Sequence, residues 1–589
     1  MRRLVFRMCS NKDDEVQLET FLNSFTLDDA AIDPQYEDDE DDDEADHLEE
    51  RTECTDTEEE ISDTEEDFGT SPTSDAFYVC KDGVTKWNKK LAPKHERVPE
   101  NLLKHLPSPR TATKNLISEI DIWSYFFNEG MLKVIVDCTN QHISGTKSHF
   151  SRERDAEDTN IHEIKALLGL IYMAGVLKAN RLNARELFST QGCGIEIFRL
   201  TMSINRFLFL MRNVRFDNKE TREQRKEIDK LAPIRQIFDN FVVNCQSAYS
   251  PFHCVTIDEK LEGFRGRCSF KQYIPSKPNK YGIKIFALVD AKCYFTTNLE
   301  VYVGKQPDGP YAVDNSASAV VQRLCEPINE SGRNVTTDNW FTSIQLLEAL
   351  KEKKLTLLGT IRKNRKGLPK EFTQPPKSRA VMSTLFGFRD NATLVSYKPK
   401  KNKNVLLISS GHHDDGIDEN TQKPNMILDY NNTKGGVDTV DKLCASYNCA
   451  RITRRWPMVV FYALLNIAGI NSIVIHKFNN PTVTQPRRTF LRNLSMALID
   501  GHLRQRAQLH CLPRQMSSRI REITGYEEPL QGAAATPSDE NIPKRGRCAY
   551  CDRRKNRPTK YSCTTCQKFM CLEHCTIVCE ECFNKDEIF

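Results

Sequence analysis

Three aspartates fall where an α/β sheet gathers side chains. Asp258 follows the strand-like run VTI, and Asp338 follows NVTT. Asp438 lies in GGVDTVDKL, where Gly435 and Gly436 precede a helix start. A fourth acid, Asp441, comes three residues later and so shares a helix face with Asp438. Such a cluster is what two-metal phosphoryl transfer needs. Hard Mg2+ or Mn2+ ions take carboxylate oxygens. Two ions about 4 Å apart activate the attacking oxygen and stabilise the leaving one. The plainer role is also open, because the chain has 81 acids and Asp at a strand end often caps a turn or helix.

Basic residues keep these acids company. Arg265, Arg267, Lys271, Lys277, Lys280 and Lys284 follow Asp258, with Phe264, Phe270, Tyr273 and Tyr281 interleaved. Arg362, Lys363, Arg365 and Lys366 form a second cluster beyond Asp338. Arg451, Arg454, Arg455 and Trp456 form a third beyond Asp441. Cations for phosphates and rings for base stacking are what a nucleic-acid groove requires. Each cluster taken alone is also compatible with a solvated face.

Of 21 cysteines, 8 fall between Cys548 and Cys582. Cys548-x2-Cys551, Cys563-x2-Cys566, Cys571-x2-His574 and Cys579-x2-Cys582 make four ligand pairs, enough for two tetrahedral Zn2+ sites. Joining alternate pairs gives one site of Cys548, Cys551, Cys571 and His574. The other is Cys563, Cys566, Cys579 and Cys582. Cys575 is a surplus thiol and the rival of His574 for its place. So short a segment needs metal to fold. Ubiquitin ligases and histone-tail readers use similar modules, but the basic residues around this one (Lys544, Arg545 and Arg547, then Arg553 to Lys560) favour DNA.

The elements that must position these residues change character along the chain. From about 116 to 250 the apolar spacing is helical, as in Ile117, Ile120, Trp123, Phe126 and Phe127. From VTIDEKLEGF to LTLLGTIRK the runs are short, β-rich and bounded by turns, with a helix over Ile344–Lys354. The expected fold class is therefore multidomain α/β. Residues 364–424 are polar and read as an insertion without a continuous core. A helix over 439–450 and an apolar helix over 457–476 follow, the latter buried and not membrane-spanning, since it holds Asn466, Asn471 and Ser472. Residues 525–545 read as a linker and 546–589 as the cysteine-rich domain.

The formal net charge of +2 hides a split. Residues 1–70 carry 27 acids against 5 bases, and the rest of the chain has a net charge of +24. High charge and few apolar residues predict a disordered arm, and residues 1–110 are expected to be irregular throughout. The arm is either a solubilising tail or a mimic of DNA phosphate that competes for the basic body. Nothing reads as a secretion signal. The basic stretch before the cysteines also suits nuclear localisation.

Together these blocks resemble the piggyBac family of DNA transposases. The resemblance rests on RDAEDTNIHEIKALLGLIYMAGV, TIDEKLEGFRGRCSFKQYIPSKPNKYGIKI, TTDNWFTS, LTLLGTIRKN, DYNNTKGGVDTVDKL and RRWPM, in family order from about 115 to 500. It implies an RNase H-like core of the retroviral-integrase type, in two parts (254–363 and 425–450) around the insertion. Helices at 111–253 and 451–524 would form one dimerisation and DNA-binding domain. The implied triad is Asp258, Asp338 and Asp438 with Asp441 as an additional acid, holding Mg2+ or Mn2+. The implied chemistry is cut-and-paste transposition of double-stranded DNA through hairpin ends into TTAA targets, by a nuclear homodimer. The zinc module would bind the terminal repeats. The alternative is a domesticated relative that binds DNA without moving it.

Overall fold

The structure is a computed structural model of the 589-residue chain. It describes residues 76–91, 103–526 and 546–575, except 276, 278, 375–377, 390, 391, 510, 511, 553, 554, 556, 557, 564, 565 and 567. It also gives the backbone of two short strands at Leu48–Glu50 and Glu59–Glu60. The chain divides into two compact units, one ending at Gly525 and the other starting at Tyr526.

The first unit is built on a 13-stranded mixed sheet. β1 (Leu48–Glu50) and β2 (Glu59–Glu60) come from the acidic arm. β3 (Phe77–Val79) and β4 (Lys86–Asn88) are a hairpin. Its turn holds Gly83 at φ +72°, a conformation glycine adopts without strain. The Asp82 carboxylate accepts the Val84 and Thr85 N–H groups there. This hairpin corrects the irregular reading of residues 71–110. Trp87 on β4 is fully buried, and its indole N–H donates to Gly367 O at 2.9 Å. The rest of the arm, residues 1–47 included, lies outside the described residues.

The longer helices that precede the central strands are α1 (Glu119–Phe126), α2 (Glu129–Thr146), α3 (Ile161–Val176), α4 (Ile204–Asn213) and α5 (Arg235–Ala248). Ser118, Asn128, Asn160 and Ser203 cap the first four, each side chain accepting an N–H three residues on. The central strands follow as β5 (Cys254–Gly263), β6 (Lys271–Tyr273), β7 (Tyr281–Asp290) and β8 (Thr296–Val301). Then come α6 (Ala317–Cys325), β9 (Asn334–Thr337), α7 (Ile344–Glu352) and β10 (Thr356–Thr360). β5, β7 and β8 are antiparallel neighbours, whereas β9 runs parallel to β5 and β10 parallel to β9.

A second correction concerns the segment read as an insertion, expected to have no continuous core. It forms β11 (Thr384–Arg389), β12 (Ala392–Lys400) and β13 (Lys403–Ser409), and β13 pairs with β10, so these strands extend the sheet. Leu394, Leu406 and Ile408 join the same core as Val255 and Ile257. Lysine-rich turns between the strands dilute their apolar alternation in the sequence. The acidic strands take positions on this sheet too: β1 runs parallel to β6, and β2 pairs with β13.

Four long or packed helices complete the unit: α8 (Asn425–Thr433), α9 (Gly436–Ser446), α10 (Trp456–Asn479) and α11 (Arg487–Ala507), before a terminal α12 (Arg514–Thr524). α9 begins three residues earlier than the sequence spacing predicts, so Asp438 sits in its first turn. α10 is long and apolar enough to cross a membrane, but its apolar window is wholly buried in the protein. It is the core of the helical layer: Phe461 meets Phe127 and Phe216, and Leu465 O accepts the Tyr172 hydroxyl of α3.

Side chains on a strand alternate between faces, and β5 shows the result. Val255 and Ile257 face Val320, Leu324, Leu346 and Leu350 of α6 and α7. Thr256, Asp258 and Lys260 face the other way, towards α8 and α9.

Candidate active site and metal centre

Strand register places the first two candidate acids. Ile257 of β5 lies opposite Thr337 of β9 in parallel pairing, so the next residues, Asp258 and Asp338, emerge side by side. Asp258 accepts the N–H of Glu259 at 2.7 Å. Asp338 accepts the N–H groups of Trp340 and Phe341 at 2.9 and 3.3 Å. Burial, and then the neighbouring Asp338 charge, hold the Asp258 carboxyl well above the usual range. Burial, and then Glu259, push Asp338 up to about 6.

The third acid arrives on α9, which comes close to β5 because Gly436 has no side chain. A Cβ there would stand 2.6 Å from Thr256 Oγ1, and Thr256 itself donates to Thr433 O at the end of α8. Asp438 is the most open of the three, its side chain 58% exposed, with Lys277 Nζ at 4.0 Å. Lys277 also donates to Glu259 O at 3.1 Å. Burial works against its charge, but Asp258, Glu259 and Asp438 outweigh that and hold its pKa above the usual lysine range.

Asp441 is placed differently. Its carboxylate lies 2.6 Å from Lys260 Nζ, which also pairs with Glu262 at 2.7 Å. On the opposite face of β5, Glu259 pairs with the fully buried Lys284 at 3.2 Å. Lys284 Nζ sits over the rings of Phe286 and Trp340 at 4.6 and 4.9 Å. Sequence reading missed Lys260 and the Glu259–Lys284 pair. The signal was available: Lys260 is two residues past Asp258, hence on the same strand face.

The residues fit a divalent cation. Two half-buried carboxyls press against each other, and only protonation or an added cation relieves that. The resident cations that partly offset them are Lys277 for Asp258 and Arg362 for Asp338. Asp258, Asp338 and Asp438 are not drawn into one tight set, however. Among the described residues, one group of three or more potential ligands has all its ligand atoms within 4.8 Å, and it is the cysteine–histidine cluster below.

The basic residues divide. Arg265, Arg267, Lys280, Tyr281, Lys366 and Arg454 are exposed, and Lys277, Arg362, Lys363, Arg365 and Arg451 are half-buried. Lys271 is buried and donates to Gly266 O. Arg365 donates to Trp340 O, and Arg362 to Asn339. Arg455 ties α10 to the end of α4 through Met211 O, Arg212 O and Val214 O. Trp456 is buried edge-on against Phe270 at 4.9 Å. Phe264 and Phe270 are core residues too, so among the interleaved rings only Tyr281 is well exposed, packed at 4.8 Å on Tyr273.

In the second unit, Cys548, Cys551, Cys571 and His574 converge. His574 Nδ1 stands 3.6, 3.4 and 3.2 Å from the three sulfurs, and Cys551 Sγ is 3.6 Å from Cys571 Sγ. Tetrahedral Zn2+ with ordinary bond lengths spaces such ligands about 3.6–3.8 Å apart. His574 belongs to this cluster and Cys575 does not. Cys563 and Cys566 are near each other, with Cys566 N–H 3.5 Å from Cys563 Sγ. Their expected partners Cys579 and Cys582 lie outside the described residues.

Comparison with known proteins gives a consistent result. Residues 118–473 match the family model described as transposase IS4. Human PiggyBac transposable element-derived protein 3 is 23% identical over 381 residues, 61% of this chain and 61% of its own length. Human PiggyBac transposable element-derived protein 2 is 20% identical over 382 residues, 61% of this chain and 62% of its own. The chain thus spans about 61% of the length of these curated relatives. A cryo-EM structure of a piggyBac transposase synaptic complex with hairpin DNA is 37% identical, with a TM-score of 0.68 over 81% of this chain and 100% of that one.

Proposed function

Since the chain belongs to the piggyBac family of transposases, we propose that it is a cut-and-paste DNA transposase with its catalytic centre at Asp258, Asp338 and Asp438. The observation that carries this reading is the strand register that sets Asp258 beside Asp338 with both carboxyls raised. The strand order β8-β7-β5-β9-β10, three antiparallel strands followed by two parallel ones, supports an RNase H-like core. Asp258 then stands in the middle of its first strand and Asp338 just past the end of its fourth.

Asp258, Asp338 and Asp438 would hold Mg2+ or Mn2+, which supplies an activated nucleophile and stabilises the leaving oxygen. The protein's own part is to present two half-buried carboxylates on a rigid sheet and to bring the third on α9. Lys277 lies beside this centre, and with the exposed Arg265, Arg267 and Lys280 of the segment between β5 and β7 it would take DNA phosphates. The reaction passes through hairpin ends and inserts at TTAA. Two structural Zn2+ ions would order the C-terminal module, which contacts terminal repeats. The protein acts as a nuclear homodimer on double-stranded DNA.

The test is excision of a donor flanked by this element's own terminal repeats, with wild type and Asp338→Asn. Precise restoration of TTAA by the wild type and none by the variant is the expected result. Specific end binding without excision by the wild type would instead make the chain a domesticated DNA-binding protein.

A further inference from the structure

Asp441 is the acid in GGVDTVDKL whose role the centre leaves open. It lies one turn beyond Asp438 on α9, but its carboxylate is already matched. Lys260 Nζ stands 2.6 Å from Asp441 Oδ1 and 2.7 Å from Glu262 Oε1, and the Lys260 side chain is only 3% exposed. A buried ammonium is tolerated only where carboxylates compensate it. Leaving Lys260 for a metal ion would halve that compensation, with Glu262 as its one remaining carboxylate partner.

The same geometry gives α9 a second point of attachment. Its first turn has no side-chain cap. One hold on the sheet is the contact of Gly436 with Thr256. Another is the Lys260–Asp441 pair, a turn further on, and between them Thr439 bonds the Tyr294 side chain. Asp438 lies between Gly436 and Asp441. Lys260 leaves β5 two residues after Asp258 and on the same face, so the pair links the strand of the first acid to the helix of the third.

We propose that Lys260 is a positioning residue: through its ion pair with Asp441 it fixes α9, and hence the Asp438 carboxylate, against β5, making Asp441 an anchor and not a metal ligand. This rests on the assignment of Asp258, Asp338 and Asp438 as the metal centre.

The experiment is Mn2+ binding to the full chain, followed by electron paramagnetic resonance. The variants are Lys260→Gln, Lys260→Met, Asp441→Asn, the Lys260→Gln/Asp441→Asn pair, and Asp258→Asn. Only the binding that Asp258→Asn removes is counted. Circular dichroism selects whichever Lys260 variant is folded. Removing Lys260 should weaken Mn2+ binding about 5-fold or more, Asp441→Asn should do likewise, and the pair should be no worse than the poorer single variant, as expected for partners in one network. A ligand role for Asp441 predicts the opposite pattern. Losing Lys260 would then tighten Mn2+ binding, by removing a competing cation, while Asp441→Asn weakens it. That result, unchanged affinity without Lys260, or additive losses would overturn the proposal. Wild-type Mn2+ binding by Asp258→Asn would overturn the metal centre itself. Loss with Asp258→Asn but none with Lys260→Gln would overturn only the role of Lys260.

Discussion

Asp338→Asn should stabilise the metal-free protein while removing its response to metal. The Asp338 carboxyl is raised from 3.8 to about 6. A carboxyl raised in the folded state favours the protonated form, so its ionisation costs stability. The cost is absent below about pH 4, grows as pH rises between the unfolded and folded values, and is complete above about pH 6. A shift of roughly 2 units corresponds to about 3 kcal/mol. Asn keeps the oxygen that accepts the Trp340 and Phe341 N–H groups, so the turn survives. With about 2.1 cal/mol/K per residue over roughly 420 ordered residues, 3 kcal/mol is worth about 3 °C in Tm. The assay is a thermal melt of wild type and variant in chelator from pH 4 to 8. The gap should open between pH 4 and 6 and then stay constant. Adding Mg2+ at pH 7.5 should raise the wild-type Tm and leave the variant unmoved. A gap independent of pH, or a variant less stable at pH 7.5, would refute the claim that burial and the Glu259 charge strain this carboxylate.

Other outcomes follow from single contacts. Gly436→Ala drives a methyl to within 2.6 Å of the buried Thr256 side chain and should cost about 1–3 kcal/mol. Gly435→Ala meets nothing within 4 Å and should leave the melt unchanged. His574→Ala should lower the zinc content by one equivalent in atomic emission, whereas Cys575→Ala should not. Deleting residues 1–70 removes a net charge of −22 together with β1 and β2. It should tighten non-specific DNA binding in a fluorescence-polarisation titration, more at low salt than at high salt. No change at low salt would leave the arm a solubilising tail.

Asp338 was legible because a strand end next to a turn leaves a sharp local pattern. NVTT-Asp338 is a strand followed by an acid, whereas Asp258 does not end the run VTI but lies inside β5, which continues to Gly263; the structure sets the two in register. The first zinc cluster was legible for the same reason, since x2 spacing is set within a few residues. What stayed hidden depends on distant partners. Trp87 stands in a charged, turn-rich stretch, and its burial follows only from pairing of β4 with β11, some 300 residues away. Leu394 and Ile408 looked diluted by lysine until β13 joined β10. Lys271, Arg455 and Trp456 carried the composition of a DNA surface, but backbone carbonyls and core rings claim them. Charge alone does not reveal which cations are spent on holding the fold.

The burial of α10 has a consequence for synthesis on the ribosome. Phe127 and Tyr172 wait for Phe461 and Leu465, about 290 to 335 residues later in the chain. A nascent chain therefore cannot close its helical layer until the residues up to Asn479 have emerged, and contacts so distant in sequence form slowly. By then all three candidate acids have been made, but the helix that brings Asp438 to the sheet has only just acquired its support. Prematurely terminated products ending before α10 would expose apolar helices to chaperones and proteases. They would hold Asp258 and Asp338 without a finished centre. A copy that ends there lacks the helix against which α9, the carrier of Asp438, packs.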